Sequence, residues 1–285
     1  MRNRVVTQLV TGASAIVVAT FCLATDAIQA QSPSSYRAPR SRNGDGKPDV
    51  SGIWQAVNTA NWDIQDHGPQ KGPLFQLGAM FAVPPGRGVV EGNELPYLPA
   101  ALERKKQNFA KRILTDPRDR EIGDPELKCY MPGVPRATYM PYPFQILQGA
   151  QDMLIVYQFA KSSRIVHMNK KSESTVDSWM GWSNGRWEGD TLVIDVTGLN
   201  GEAWLDRAGN FVSSSAHLVE RYTPMSPHHL NYEVTIEDPA VFSRPWKMSM
   251  PLYRRLEKDA ILLEYNCVEF AEEALYGTIR THTKP

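Results

Sequence analysis

His217, Glu220 and Arg221 fall within five residues, in His217-Leu-Val-Glu-Arg221, and together hold what proton transfer needs. An imidazole titrates near neutrality, and a neighbouring carboxylate or burial can move it across that range. Asp206, in Trp204-Leu-Asp-Arg207, would hold such a ring in one tautomer, or would form an Asx turn before Gly209. A carboxylate inside a strand, as at Glu220 or Glu264, needs a partner if its face is buried. Arg221 and Arg186 can supply that partner, as structural ion pairs or as a clamp for a developing oxyanion. Tyr139, Tyr142, Trp179 and Trp204 sit beside expected strands, where barrel mouths bind flat apolar ligands and where ordinary packing also uses aromatics.

Other chemistry is poorly supported. His228-His229 reads as an exposed turn and His167 as a core residue at the end of an apolar run. Gly181-Trp-Ser-Asn-Gly185 has the spacing of a nucleophile elbow, but a β-rich run follows it in place of a helix. Dinucleotide-binding and phosphate-loop glycine patterns are absent, so no cofactor is expected. Lys and Arg number 31 against 31 Asp and Glu, a balance that favours neither nucleic acid nor an anionic membrane surface. The expected partner is a small hydrophobic or aromatic molecule.

The elements that must position these groups are short strands. Trp182–Trp187 and Thr191–Val196 form a hairpin around Glu188-Gly189-Asp190, with Gly189 taking positive φ. Ser51–Gln55, Pro143–Gln148, Met153–Phe159 and Arg164–Met168 read as further strands, as do Ala216–Tyr222, Leu230–Glu237, Trp246–Tyr253 and Ile261–Cys267. About nine or ten strands must hide their edges, which predicts a mainly β fold: an antiparallel, lipocalin-like barrel, with a β-sandwich as the alternative. Alternation places Leu218, Glu220 and Tyr222 opposite His217, Val219 and Arg221, without saying which set lines the interior. Residues 58–96 and 124–136 read as irregular cover. A helix is expected over residues 98–114, where Leu102, Phe109 and Ile113 recur at helical spacing, and a short closing helix near residues 268–276.

Residues 1–30 read as a signal peptide: Arg2 and Arg4, an apolar stretch over Ala13–Ala24, and Ala30 at the cleavage position. A mobile leader would occupy residues 31–47 and a single barrel domain residues 48–285, with no membrane insertion after cleavage. Asn43, Asp45 and Asp49 lack the spacing of a calcium loop and read as a turn. Cleavage would remove Cys22 and leave Cys129 and Cys267 to pair in the periplasm or outside the cell.

Three segments carry a resemblance: Asp49-Val-Ser-Gly-Ile-Trp54, Gly185-Arg-Trp-Glu-Gly-Asp-Thr-Leu-Val-Ile-Asp195 and His217-Leu-Val-Glu-Arg221. Glu237-Asp-Pro239, Arg244-Pro-Trp246 and Glu264-Tyr-Asn-Cys267 fit the same pattern. The chain resembles a large family of exported bacterial proteins that share this hairpin motif. The resemblance implies export and family membership, and no particular chemistry. Members of that family often carry His at the positions of Trp182 and Val212, which with His217 would make a histidine cluster. Here only His217 stands, so no metal site is implied, and Trp182 makes the region better suited to an aromatic ligand.

These observations define two expectations. One is a cofactor-independent lyase, isomerase or cyclase that uses His217, Asp206, Glu220 and Arg221 in an apolar barrel. The other is a periplasmic carrier of a small hydrophobic molecule. In the first, His217 faces the lumen with Asp206 as its carboxylate.

Overall fold

The computed structural model describes residues 36–72, 82–114 and 123–268. The signal peptide and the closing helix expected near residues 268–276 lie outside them, apart from Val268, which belongs to no helix.

Nine strands close into one barrel in chain order: β1 (Gly52–Ala56), β2 (Phe144–Gln148), β3 (Asp152–Tyr157), β4 (Ser163–Met168), β5 (Trp182–Glu188), β6 (Thr191–Thr197), β7 (His217–Ser226), β8 (His229–Glu237) and β9 (Trp246–Arg254). The expected barrel is present, but it is mixed. β4 and β5 run parallel, with Val166 opposite Ser183, and every other neighbouring pair is antiparallel. Parity requires such an exception. An odd-numbered meander closes only if one neighbouring pair keeps the same direction, and the crossover over residues 169–181 supplies it. Hairpin grammar alone could not reveal it, because alternation is blind to strand direction.

The central hairpin pairs Glu188 with Thr191 across Gly189-Asp190, and Gly189 has φ +60°. No ladder includes residues 261–267. β9 already pairs with β1, so the closed sheet offers no edge to a tenth strand. Ile261 and Leu263 consequently stay exposed. The expected continuation of β3 to Phe159 is instead a turn of 3₁₀ helix over Phe159–Lys161.

Inward positions are large and wholly buried: Trp54, Phe144, Ile146, Tyr157, Leu192, Ile194, Tyr222, Tyr232 and Met248 among them. Their side chains fill the lumen, as in small barrels generally. One end is covered by residues 57–72 and 82–98, α1 (Pro99–Lys111), residues 123–143 containing α2 (Arg136–Tyr139), and the connection from β6 to β7. α1 is shorter than its sequence pattern. Ala101 is its one buried residue and Leu102 is exposed, so its apolar stripe only skims the cover.

The opposite end carries the leader. Residues 36–47, expected to be mobile, are pinned by an Arg40–Pro48 bridge, an Asx turn at Asn43 and Asp45, and an Arg40–Asp190 ion pair at 2.8 Å. The Cys129–Cys267 disulfide is formed, with 5.7 Å between Cα atoms, and ties the last described residues to the cover.

Candidate functional site

His217 begins β7 on the outer face of the barrel. Leu218, Glu220 and Tyr222 point inward and are completely buried, whereas His217 and Arg221 are partly exposed. The His217 ring meets Asp195 at 3.2 Å and Glu237 at 4.0 Å, so its expected pairing with Asp206 is not made. Arg221 reaches Glu188 at 2.8 Å, and Arg186 binds Asp195 and Glu188, which makes this face a ladder of exposed charges. Such exposed pairs are screened by water and add little to stability. His217→Asn should therefore change the free energy of unfolding by no more than about 1 kcal/mol in urea titration. It should also leave untouched any activity housed in the cleft described below.

Glu220 lies in the lumen, and its partner is neither Arg221 nor Arg186. Arg164, 56 residues earlier on β4, grips it with both arms at 2.6 and 3.0 Å. Tyr157, Tyr222 and Ser183 complete the Arg164 shell, and the hydroxyls of Tyr222 and Tyr232 both donate to Glu220 Oε1. Burial alone would lower the Arg164 pKa, but the Glu220 carboxylate outweighs it and holds the guanidinium charged. Burial also lifts the three tyrosines, which stay neutral donors. Every arm of this cluster is satisfied inside a filled core, so it pins the barrel together and leaves no room for substrate.

The aromatic residues expected at a ligand mouth are used in packing. Tyr139 is buried and donates to the Leu205 carbonyl at 2.7 Å. Tyr142 packs on Phe159 and Tyr265, Trp179 sits edge-on to Tyr130, and Trp204 is buried opposite Phe211. Trp182 stacks on His167 at 4.4 Å and donates to Ser172. Glu264 is exposed and lies 3.8 Å from Lys161.

Titratable groups converge instead in the cover, where three segments lock together. The loop after β1 and the β6–β7 loop join through Arg207 N donating to the Asn61 carbonyl. The second loop also packs on α1, whose Asn108 donates to the Gly209 carbonyl. Gly209, at φ +85°, is obligatory there: a Cβ would lie 2.8 Å from Asn108 Cβ and from the Phe109 nitrogen. At the base, Arg136 holds Asp124 with two bonds at 2.8 and 2.9 Å and Glu126 with one at 2.6 Å. Arg207 takes both oxygens of Glu126 and lies 4.1 Å over the Trp62 ring. Burial pushes the Glu126 carboxyl up, but Arg207 and then Arg136 overcome it and hold the pKa down to about 2.

Asp206 is the contrasting group. It is wholly buried and accepts from Ile64 N, Asn210 N and Asn210 Nδ2, and among the described residues no cation is bound to it. Burial raises its pKa first, and the nearby Asp63 carboxyl adds to this, against the three donors, to about 7. Asp63 is itself raised by burial, although it accepts from Gln65 N at 2.9 Å. Asp63 opens onto a narrow cleft with a cavity volume of about 30 Å³, lined also by Trp62, Val83, Phe109, Arg112, Leu127 and Arg207. A carboxyl shifted toward neutrality at the wall of an apolar cleft is a group that can hold or release a proton there.

The Asp-x-x-Gly turn at Asp206–Gly209 was visible in the sequence. Asp63 was not, because its surroundings are assembled from segments more than 100 residues apart. No protein-family model matches this chain, and no curated protein matches it with significant similarity.

Proposed function

We propose that the protein is a cofactor-independent acid–base enzyme, of lyase or isomerase type, that works on a small substrate with an apolar or aromatic body at the mouth of this cleft. The observation that carries the reading is the Asp63–Asp206 pair: two carboxyls lifted by burial, one at the cleft wall and one sealed behind it. In this reading Asp63 exchanges a proton with the substrate. Asp206 is a positioning residue: its charge state sets how readily Asp63 ionises, and its bonds to Ile64 N and Asn210 hold the Asp63 loop against the β6–β7 loop. Trp62, Phe109, Val83 and Leu127 exclude water and orient the substrate, which by itself lowers a barrier.

Export is part of the proposal. It is supported by the basic and apolar first thirty residues and by a disulfide of the kind that persists in oxidising compartments. Membership of the exported bacterial family is likewise proposed on the segments that resemble it.

The test is proton exchange at carbon. Small aromatic and terpenoid carbonyl compounds are incubated in deuterium oxide with the full chain and with Asp63→Asn, and followed by mass spectrometry. The expected result is conversion or deuterium uptake by the wild type and a loss of about a hundredfold or more in the variant. Saturable binding of these compounds without conversion or exchange would replace the enzyme by a carrier. A wild-type rate that survives Asp63→Asn would move the chemistry elsewhere.

A further inference from the structure

The filled part of the barrel stops short of the leader, and a cavity of about 150 Å³ remains between them. Met153 on β3 and Met168 at the end of β4, both buried, form its floor, and the half-buried Trp187 near the end of β5 forms a wall. Asp45 and Lys47 of the leader and the exposed Asn169 make the rim. Gly185 keeps the space open. It stands opposite Met168 in the parallel pair, where a Cβ would lie 2.5 Å from the Met168 sulfur and 2.6 Å from a Val166 methyl carbon. With no Cβ there, the thioether tucks against β5 and does not plug the lumen. The leader is tied across the opening. Gln148 Nε2 donates to Asp45 at 3.4 Å, and Asp45 also accepts from Lys47 N and Asn43 Nδ2 at 2.8 and 3.0 Å.

We propose that this cavity is a ligand site for a neutral, single-ring aromatic compound of about the size of phenol. The ring would lie on Met153, Met168 and Trp187, with its polar substituent at the Asp45–Lys47 rim. A cavity of about 150 Å³ is the size that accepts one benzene ring. Thioether sulfurs and an indole make favourable contacts with aromatic rings, which saturated rings do not repeat. The buried surfaces of Met153, Met168 and Trp187 carry no charge, so an ionised ligand drawn onto them would lose its water without a partner. The site lies at the opposite end of the barrel from the Asp63 cleft, and it does not rest on that cleft being catalytic.

NMR of the full chain carrying isotope-labelled methionine methyl groups tests the proposal, with phenol as the probe. Met153→Leu and Met168→Leu each remove one signal and so assign the two. Phenol is expected to move both signals saturably through its ring current, with a Kd of about 0.1–1 mM. The signals of the exposed Met131 and Met225 should stay in place. Cyclohexanol, of similar size without a π face, should bind at least about threefold more weakly. Gly185→Ala drives the Met168 sulfur into the cavity and should abolish binding. Trp187→Leu should weaken it about tenfold, and it provides the readout if the alanine variant fails to fold. Absence of shifts, shifts shared with Met131 and Met225, cyclohexanol binding as tight as that of phenol, or binding unchanged in Trp187→Leu would each overturn the proposal.

Discussion

Replacing Arg164 by methionine is expected to destabilise the fold by about 3–5 kcal/mol in equilibrium urea unfolding, because Glu220 would be left in the lumen without its counter-charge. Both side chains are essentially inaccessible, and the two bonds between them, at 2.6 and 3.0 Å, have no water to replace them. Most of the damage would come from the stranded charge and little from a lost attraction. The double variant Arg164→Met with Glu220→Leu should therefore be more stable than the single one. It should still fall short of the wild type, because the Tyr222 and Tyr232 hydroxyls would lose the oxygen they donate to. A single variant within about 1 kcal/mol of the wild type would mean that the lumen relaxes or admits water. A double variant less stable than the single one would show that Glu220 is not a stranded charge once Arg164 is gone.

The second large effect is a dependence of stability on pH that runs against the usual trend for carboxylates. Asp206 has a folded pKa near 7, whereas an aspartate in the unfolded chain titrates near 3.8. The folded state therefore binds the proton more tightly. Its contribution is fully present below about pH 4 and is lost as pH rises through about 7, on the order of 4 kcal/mol in all. Glu126 works in the opposite sense. With its folded pKa held down to about 2, its contribution is present above the ordinary glutamate value of 4.5 and is lost as pH falls toward 2. Together they place the stability maximum in mildly acidic solution, and urea midpoints should decline from about pH 5 to pH 7 and level off by about pH 8. In Asp206→Asn that decline should flatten, although the variant itself will be weaker because its amide cannot accept from all three donors. A wild-type profile that is level between pH 5 and 8 would show that Asp206 is ionised in the folded protein.

The strands were legible because each carries alternation or a β-branched run that says what it is without reference to its partners. Thr191–Val196 needs nothing beyond its own residues to be a strand. What alternation could not say was which face turns inward along β7. Glu220 needed a partner if its face was the buried one, and that partner is Arg164, 56 residues away. His217 attracted attention for its chemistry, yet its surroundings are those of an outer sheet face. Ile261–Cys267 alternates like a strand and is not one, because strand formation depends on a free edge that the closed barrel does not provide. The Asp63–Asp206 pair was beyond reach for a further reason. A raised pKa arises from burial and from neighbours, and the segments that bury Asp63 come from three separate parts of the chain.

The disulfide has a topological consequence. The covalent ring closed by Cys129 and Cys267 contains β2 through β9, so eight of the nine staves belong to one looped piece of chain and β1 alone lies outside it. Yet β1 is the keystone: five residues long, it is paired on one side with β2 and on the other with β9. Without it the looped piece is an open sheet with two bare edges, ready to accept a similar strand from elsewhere. The same residues, supplied by a second copy of the chain, would fit the gap equally well, which makes β1 the natural point for strand exchange between molecules.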